Sequence, residues 1–194
     1  MAKYIIGIDE AGRGPLAGPI VAAGIIFRGF PKEISILAKV KESKSISCRK
    51  REILFLEIIK NFIWSVAMLD NNFIDRYGIQ KANTLIIQEV IEDLKKQINK
   101  PFTVRADYVG GADNIFGSIS FFKKGDKNFK EIAAASIIAK VYRDKLMEAI
   151  AKSLPAYDFQ KHKGYGTKKH FEVLGQIGLS AVHRQSFLKK LPII

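Results

Sequence analysis

The sequence predicts an α/β fold: a mixed five-stranded sheet flanked by helices, with a small helical C-terminal cap. Three observations lead there. Five short apolar runs, at residues 4–8, 20–27, 63–69, 102–106 and 115–122, have the length and composition of strands. Long segments of helical period separate the later runs, the alternation expected of a sheet covered by helices. Between the first two runs, Asp9-Glu10 is followed by a loop of only nine residues, 11–19, with three Gly and two Pro. That is too short for a crossover helix, so those strands pair antiparallel.

Each element has its own signal. Ser47 can cap a helix reaching about Phe62, with Phe55, Ile58, Ile59 and Phe62 on one face. The clearest helix covers about residues 79–98, where Ala82, Ile86, Val90 and Leu94 recur at spacing four beside Ile87 and Ile91. The run at 102–106 is entered from that helix, which favours a parallel placement in the same sheet. The fifth run is interrupted by Gly117. A long helix over about residues 127–152 carries Phe129, Ile132, Ala133, Ile137 and Val141, with Ser136 among them, and Leu154-Pro155 ends it. A loop at 162–167 and a short amphipathic helix with Phe171, Leu174 and Ile177 follow. Residues 1–152 read as the main α/β domain and 153–194 as a basic helical extension packed on it.

Composition bounds the partner. The 194 residues carry a net charge of +13 and are 47% hydrophobic, so the chain can bury a full core and its partner is expected to be anionic. From Ile150 onward Lys152, Lys161, Lys163, Lys168, Lys169, Arg184, Lys189 and Lys190 face only Asp158 and Glu172, which reads as a phosphate-facing surface. Cys48 is the only cysteine, which excludes a disulfide framework and suits a reducing compartment. No apolar run approaches the roughly 18 residues of a membrane span or forms a signal-peptide core. A cytoplasmic protein is expected.

The acidic residues stand out against that charge. Asp9-Glu10 closes the first run just before the glycine loop, and a bend at Ala11-Gly12 would bring both to one edge. Asp107 ends the fourth run in the same way, and Asp126 leaves the fifth. If the first and fourth strands lie parallel and adjacent, Asp9 and Asp107 share the carboxyl edge, where open α/β sheets bind ligands. Gathered carboxylates call for a cation, and their hard oxygens suit magnesium or manganese. Two such ions could assist phosphodiester hydrolysis. Taken singly, each acid could instead cap a turn, and Asp126 could be the N-cap of the long helix.

Gly12-Arg13-Gly14-Pro15 lacks the Gly-Lys-Ser/Thr of an ATP loop, and a strand rather than a helix follows it. Its glycines would let backbone amides approach a ligand, or would simply form a tight turn. Ser43-Lys44 and Arg49-Lys50-Arg51 could contact phosphates. Tyr165, between glycines, could present its ring to a sugar or base. Lys140, Arg143 and Asp144 could form an ion-pair face. His162, His170 and His183 are spaced by eight and thirteen, which matches no zinc pattern. Nucleic-acid or structural contacts suit them better.

Taken together, these motifs resemble type 2 ribonuclease H, the ribonuclease HII family. The resemblance rests on GIDEAGRGPLAGPIVAAG at 7–24, ESKSIS at 42–47, KRE at 50–52, KGD at 124–126, IAAASIIAKVYRD at 132–144, HKGYGTKKH at 162–170 and HRQSF at 183–187. It implies a ribonuclease H-like fold and cleavage of RNA in RNA/DNA hybrids, including single ribonucleotides in duplex DNA, leaving 5′-phosphate and 3′-hydroxyl ends. By position, Asp9, Glu10, Asp107 and Asp126 match the metal-binding catalytic carboxylates. Gly12, Arg13 and Gly14 match the loop that reads the ribose 2′-hydroxyl, Tyr165 the tyrosine that packs on the sugar, and Ser43 and Lys44 a phosphate-contacting pair. Two positions depart from the family: Glu42 stands where Asp is common, and Tyr108 where Gly is common. The resemblance thus predicts Mg or Mn as cofactor and a ribonucleotide-containing duplex as partner. A monomer is expected, since little chain follows HRQSF. A non-catalytic DNA-binding module and another magnesium nuclease of similar architecture, such as an integrase or junction resolvase, remain the rival readings.

Overall fold

A computed structural model describes residues 4–40, 46–107 and 119–189 of the chain. Strands β1 (Tyr4–Ala11) and β2 (Ile20–Phe27) pair antiparallel, as do β2 and β3 (Ile63–Leu69). On the other side of β1, β4 (Phe102–Asp107) is parallel to it, and β5 (Ile119–Phe122) is parallel to β4. The order β3-β2-β1-β4-β5 is the mixed five-stranded sheet expected from the short first loop and the later helical crossovers. Ser43, Lys44, Glu42 and Tyr108 lie outside the described residues, as does the part of the fifth run before Ile119.

Nine helices are described: α1 (Pro31–Lys39), α2 (Cys48–Asn61), α3 (Asn71–Tyr77), α4 (Ile79–Lys95), α5 (Gly125–Asn128), α6 (Lys130–Ser153), α7 (Phe159–His162), α8 (Lys168–Ile177) and α9 (Gln185–Leu188). Strand alternation divides the core between two faces. Ile6, Ile8, Val104 and Ala106 meet Ile86, Ile87, Val90 and Leu94 of α4 on one. Ala23 and Ile25 meet Ala133, Ala134, Ile137 and Ile138 of α6, backed by Phe55 and Ile58 of α2, on the other. Each fully buried isoleucine contributes roughly 1.5–3 kcal/mol, so this two-sided burial outweighs any single polar contact. The start of α6 lies directly on β1 at Gly7, where an added Cβ would be 2.5 Å from the Glu131 carbonyl carbon.

Local chemistry explains the departures from the sequence reading. Helix α1 has Pro31 at its first turn and a buried Glu33, whose carboxylate is bridged to Arg28 at 2.6 Å. Its nine residues carry too little periodicity to stand out. Helix α3 is capped by Asp70, which accepts the Phe73 amide at 2.8 Å, and Gly78 at φ 84° separates it from α4. The expected helix over 127–152 is two helices. Phe129 is extended between them, its ring packed at a tilt against Phe122 at 4.3 Å and lying under the Arg105 guanidinium. In α8 the buried face is His170, Val173 and Leu174, while Ile177 is half exposed, so the apolar stripe read from the sequence is rotated.

The C-terminal elements close over the end of α6. Tyr157, Phe159, Val173, Leu174 and Leu188 form a third cluster with Ala17, Met147 and Ala151. Beneath it the three histidines form a structural network. His162 stacks on His170 at 4.3 Å, and His170 Nε2 meets His183 Nε2 at 3.0 Å. His183 Nδ1 accepts from the Ser180 amide at 2.9 Å, leaving its Nε2 to donate. His170 then donates from Nδ1 to the Tyr165 carbonyl at 2.9 Å, and its Nε2 accepts. Every ring nitrogen of this pair is used with both rings neutral, so an added proton must break a bond.

Burial and the neighbouring His170 push His183 down to about 4, and burial pushes His170 down as well. Between pH 6.5 and about 4 the unfolded chain therefore binds more protons at these sites than the folded one. Stability is complete above the unfolded value and is lost as pH falls through this window, by about 1.4 kcal/mol per pH unit per proton. Thermal melts of wild type and His183→Gln between about pH 7.5 and about pH 5 should show the wild type losing more of its stability towards acid than the variant does. Parallel curves would contradict the neutral network.

Candidate active site

The parallel register of β1 and β4 runs to Ile8↔Ala106. The next residues in each strand are Asp9 and Asp107. The alternation that sends Ile8 and Ala106 towards α4 sends both acids to the α6 side, where they stand next to each other at the carboxyl edge. Strand β1 then continues against β2 through Glu10↔Ala22 and Ala11↔Val21. The acidic pair therefore lies inside the strand and does not close it. Glu10 reaches the same rim because pairing with β4 has already ended on its other side, not because the chain bends.

Asp126 arrives by a different route. The Gly125 amide donates to Asp107 Oδ1 at 2.7 Å, drawing the start of α5 onto the end of β4. Asp126 follows immediately and is buried; it lies within α5 and is not the N-cap of α6. Asp9, Glu10, Asp107 and Asp126 thus line one pocket of about 210 Å³. Gly12, Arg13 and Gly14 form one wall, and Ser136, Lys140 and Tyr165 complete it. A larger groove of about 590 Å³ beside Met68 and Phe73 is mainly apolar, and its one carboxylate, Asp70, is engaged in capping α3. The chemistry lies in the smaller, polar pocket.

The electrostatics of that pocket are dominated by like charge. Burial, then Glu10, then Asp107 hold the Asp9 carboxyl well above the ordinary carboxylate range. The Glu10 amide, at 2.8 Å, and the Ser136 hydroxyl donate to it and offset part of the shift. Arg13 Nη1 stands 3.9 Å from Glu10 Oε1. Lys140 is bound to Asp144 at 2.7 Å, with its ammonium 5.8 Å from the Tyr165 ring centre. Among the described residues no three His, Cys, Asp or Glu side chains are drawn together as a metal-ligand set. The four carboxylates share a pocket, with Asp9 and Asp107 each turned to a backbone amide.

The structure therefore brings together Asp9, Glu10, Asp107, Asp126, Gly12, Arg13, Gly14 and Tyr165. Three further residues escaped the sequence reading. Ser136 sits within the apolar series of the long helix, although Ser136, Lys140 and Asp144 recur at spacing four, a polar stripe on a helix otherwise rich in apolar side chains. Arg143 is not in the Lys140–Asp144 ion-pair face; it is fully buried and donates to the carbonyls of Pro19, Ala17 and Lys163. Arg184, counted with the phosphate-facing charges, is likewise fully buried and binds the carbonyls of the glycine loop.

Comparison with known proteins fits this geometry. The family model for Ribonuclease HII matches residues 6–190. Ribonuclease HII of Fusobacterium nucleatum is 43% identical over 191 residues, covering 97% of this chain and 87% of that protein. The Caldicellulosiruptor bescii ribonuclease HII is 43% identical over 190 residues, covering 97% and 88%. Among solved structures, the RNase HII from Archaeoglobus fulgidus, seen in a complex with PCNA, superposes with a TM-score of 0.76 at 26% identity, covering 93% of each chain. The Mn2+ complex of Bst-RNase HIII shares the fold, with a TM-score of 0.70 at 21% identity over 96% of this chain and 65% of that one. The sequence match over nearly the whole chain, on a sheet whose parallel strand ends bear the acidic pocket, establishes that this chain belongs to the ribonuclease HII family.

Proposed function

We propose that the chain is an endoribonuclease that hydrolyses the RNA strand of RNA/DNA hybrids and cuts at single ribonucleotides embedded in duplex DNA, leaving 5′-phosphate and 3′-hydroxyl ends. The observation that carries this reading is the pocket shared by Asp9, Glu10, Asp107 and Asp126, walled by the Gly12–Gly14 loop and rimmed by Tyr165. Asp9, Glu10, Asp107 and Asp126 are the residues that would hold Mg or Mn. Their oxygens are the hard donors these ions prefer, and the upward displacement of Asp9 marks a site short of positive charge. A bound divalent ion would supply Lewis-acid activation of the nucleophile and neutralise charge developing on the phosphate.

The chain's own groups do the rest. Backbone amides of the glycine loop can approach the ribose 2′-hydroxyl because Gly14 carries no side chain, while Gly12, at φ 98°, leaves the loop free to rest on Arg143 behind it. Tyr165 presents a 42% exposed ring above the pocket, where it can pack on the sugar. Ser43 and Lys44 are assigned to a substrate phosphate on the family resemblance. Residues 153–194 are assigned as a basic extension of the domain at 1–152, supplying Tyr165 to the site. The protein acts as a monomer in the cytoplasm on this reading; no helix among the described residues is long and apolar enough to cross a membrane.

The test is a duplex with one ribonucleotide beside the same duplex in all-DNA form, with magnesium or manganese and with chelator. Cleavage should require both the ribonucleotide and the ion, and Asp107→Asn should lower it at least about a thousandfold while duplex binding survives. Normal cleavage by Asp107→Asn would sink the assignment, and equal cleavage of all-DNA duplex would favour the integrase or resolvase reading. Tyr165→Ala should slow cutting at the single ribonucleotide by about tenfold or more, the cost of one lost stacking contact. An unchanged rate would remove Tyr165 from the site.

A further inference from the structure

Arg184 and Arg143 are both fully buried, and neither forms an ion pair among the described residues. A buried cation without a carboxylate is costly unless its donors are saturated in one fixed geometry. Arg184 achieves this with all five of its N–H donors. Its Nε donates to the Gly18 carbonyl at 3.0 Å, Nη1 to Arg13 at 3.1 Å and Pro15 at 2.9 Å, and Nη2 to Gly12 at 2.7 Å and Gly18 at 2.8 Å. Arg143 supports the same loop from α6, through Pro19 at 2.9 Å and Ala17 at 3.2 Å, and joins it to the Tyr165 loop through the Lys163 carbonyl at 3.1 Å. A Cβ at Gly12 would fall 2.2 Å from Arg143 Nε, so the loop backbone rests on this guanidinium.

The direction of the carbonyls fixes the direction of the amides. None of the described peptide bonds is cis, and in a trans peptide the N–H points opposite to the C=O. With the Gly12 and Arg13 carbonyls on Arg184, the Arg13 and Gly14 amides point away from it, and these residues line the carboxylate pocket. The neighbouring peptide obeys the same rule: the Pro15 carbonyl binds Arg184, while the Leu16 amide donates the other way, to Gly164 at 2.8 Å. The Gly18 carbonyl is followed by Pro19, which has no amide hydrogen to place.

We propose that Arg184 is a positioning residue that sets ribonucleotide specificity: by gathering the loop carbonyls it presents the Arg13 and Gly14 amides to the ribose at the cutting position, with Arg143 as a second clamp. The identity of the ligand rests on the ribonuclease reading above; the clamp does not. Charge alone cannot do this work. Lysine would keep the positive field but has no planar fork with which to hold carbonyls on three sides.

Arg184→Lys is the test, read by steady-state kinetics on the single-ribonucleotide duplex and by ¹⁵N relaxation of the loop amides. The kcat should fall by about tenfold or more with KM within about twofold, because the lost donors act at the cutting position and the phosphate-binding lysines remain. Order parameters of Arg13 and Gly14 should drop from about 0.85 to below about 0.6, while β1 amides stay rigid. Tyr157→Phe, which removes only the hydroxyl bond to the Gly178 carbonyl, controls for general loosening of the C-terminal cluster and should keep kcat. An unchanged kcat and rigid loop amides in Arg184→Lys, or an equal kcat loss in Tyr157→Phe, would overturn the proposal. If wild type failed to cut the duplex, the ribonuclease reading would fall and the order parameters would still decide the clamp. Should Arg184→Lys not fold, Arg143→Lys carries the same measurements, with a smaller expected loss of about threefold.

Discussion

Everything in the pocket depends on one backbone constraint, the parallel register that ends at Ile8↔Ala106. Hydrogen bonding between β1 and β4 leaves Asp9 and Asp107 no freedom to move apart along the sheet, although like charge pushes them to do so. The opposing free energy comes from the two-sided core. Ile6, Ile8, Val104 and Ala106 are sealed under α4, and α6 rests on β1 across Gly7. A repulsive site is sustained because the hydrophobic burial around it is far larger than the electrostatic cost within it. Burial and the nearby Glu10 and Asp107 charges hold the Asp9 carboxyl above the ordinary carboxylate range.

Positive charge is arranged in two tiers around this edge. The exposed tier, including Lys168 and Lys169 on α8, is free to meet phosphates and is screened by salt. The buried tier is Arg143 and Arg184, whose guanidinium groups stand behind the glycine loop and speak to carbonyls instead of carboxylates. Acids lie on one side of the loop and buried cations on the other, with the loop backbone between them. The histidine network adds a third restraint, since His170 holds the Tyr165 carbonyl while His183, next in sequence to Arg184, bridges to Ala17.

Much of this was legible in the sequence, for identifiable reasons. A nine-residue loop cannot hide a crossover, so the antiparallel β1–β2 pair followed from length alone, and the meeting of Asp9 with Asp107 followed from the placement of β4 beside β1. What could not be read was the direction in which a charged side chain points. Arg184 and Lys189 contribute the same unit to the net charge, yet one is fully buried and the other exposed. Helical periodicity likewise cannot reveal a single extended residue such as Phe129, whose ring packs on Phe122 at the end of β5. Ser136 was hidden because a small residue that packs and a small residue that donates look alike until the partner, Asp9, is placed.

The most direct test of the central claim is the thermal response to manganese, without substrate, of wild type and Asp9→Asn. A cluster strained by like charge should gain stability when one charge is removed, so Asp9→Asn should melt a few degrees higher than wild type in chelator, on the order of 1 kcal/mol. Manganese should raise the melting temperature of wild type and leave Asp9→Asn nearly unmoved, because only the intact carboxylate set binds the ion. An Asp9→Asn protein that melted lower in chelator and responded to manganese as strongly as wild type would contradict the account.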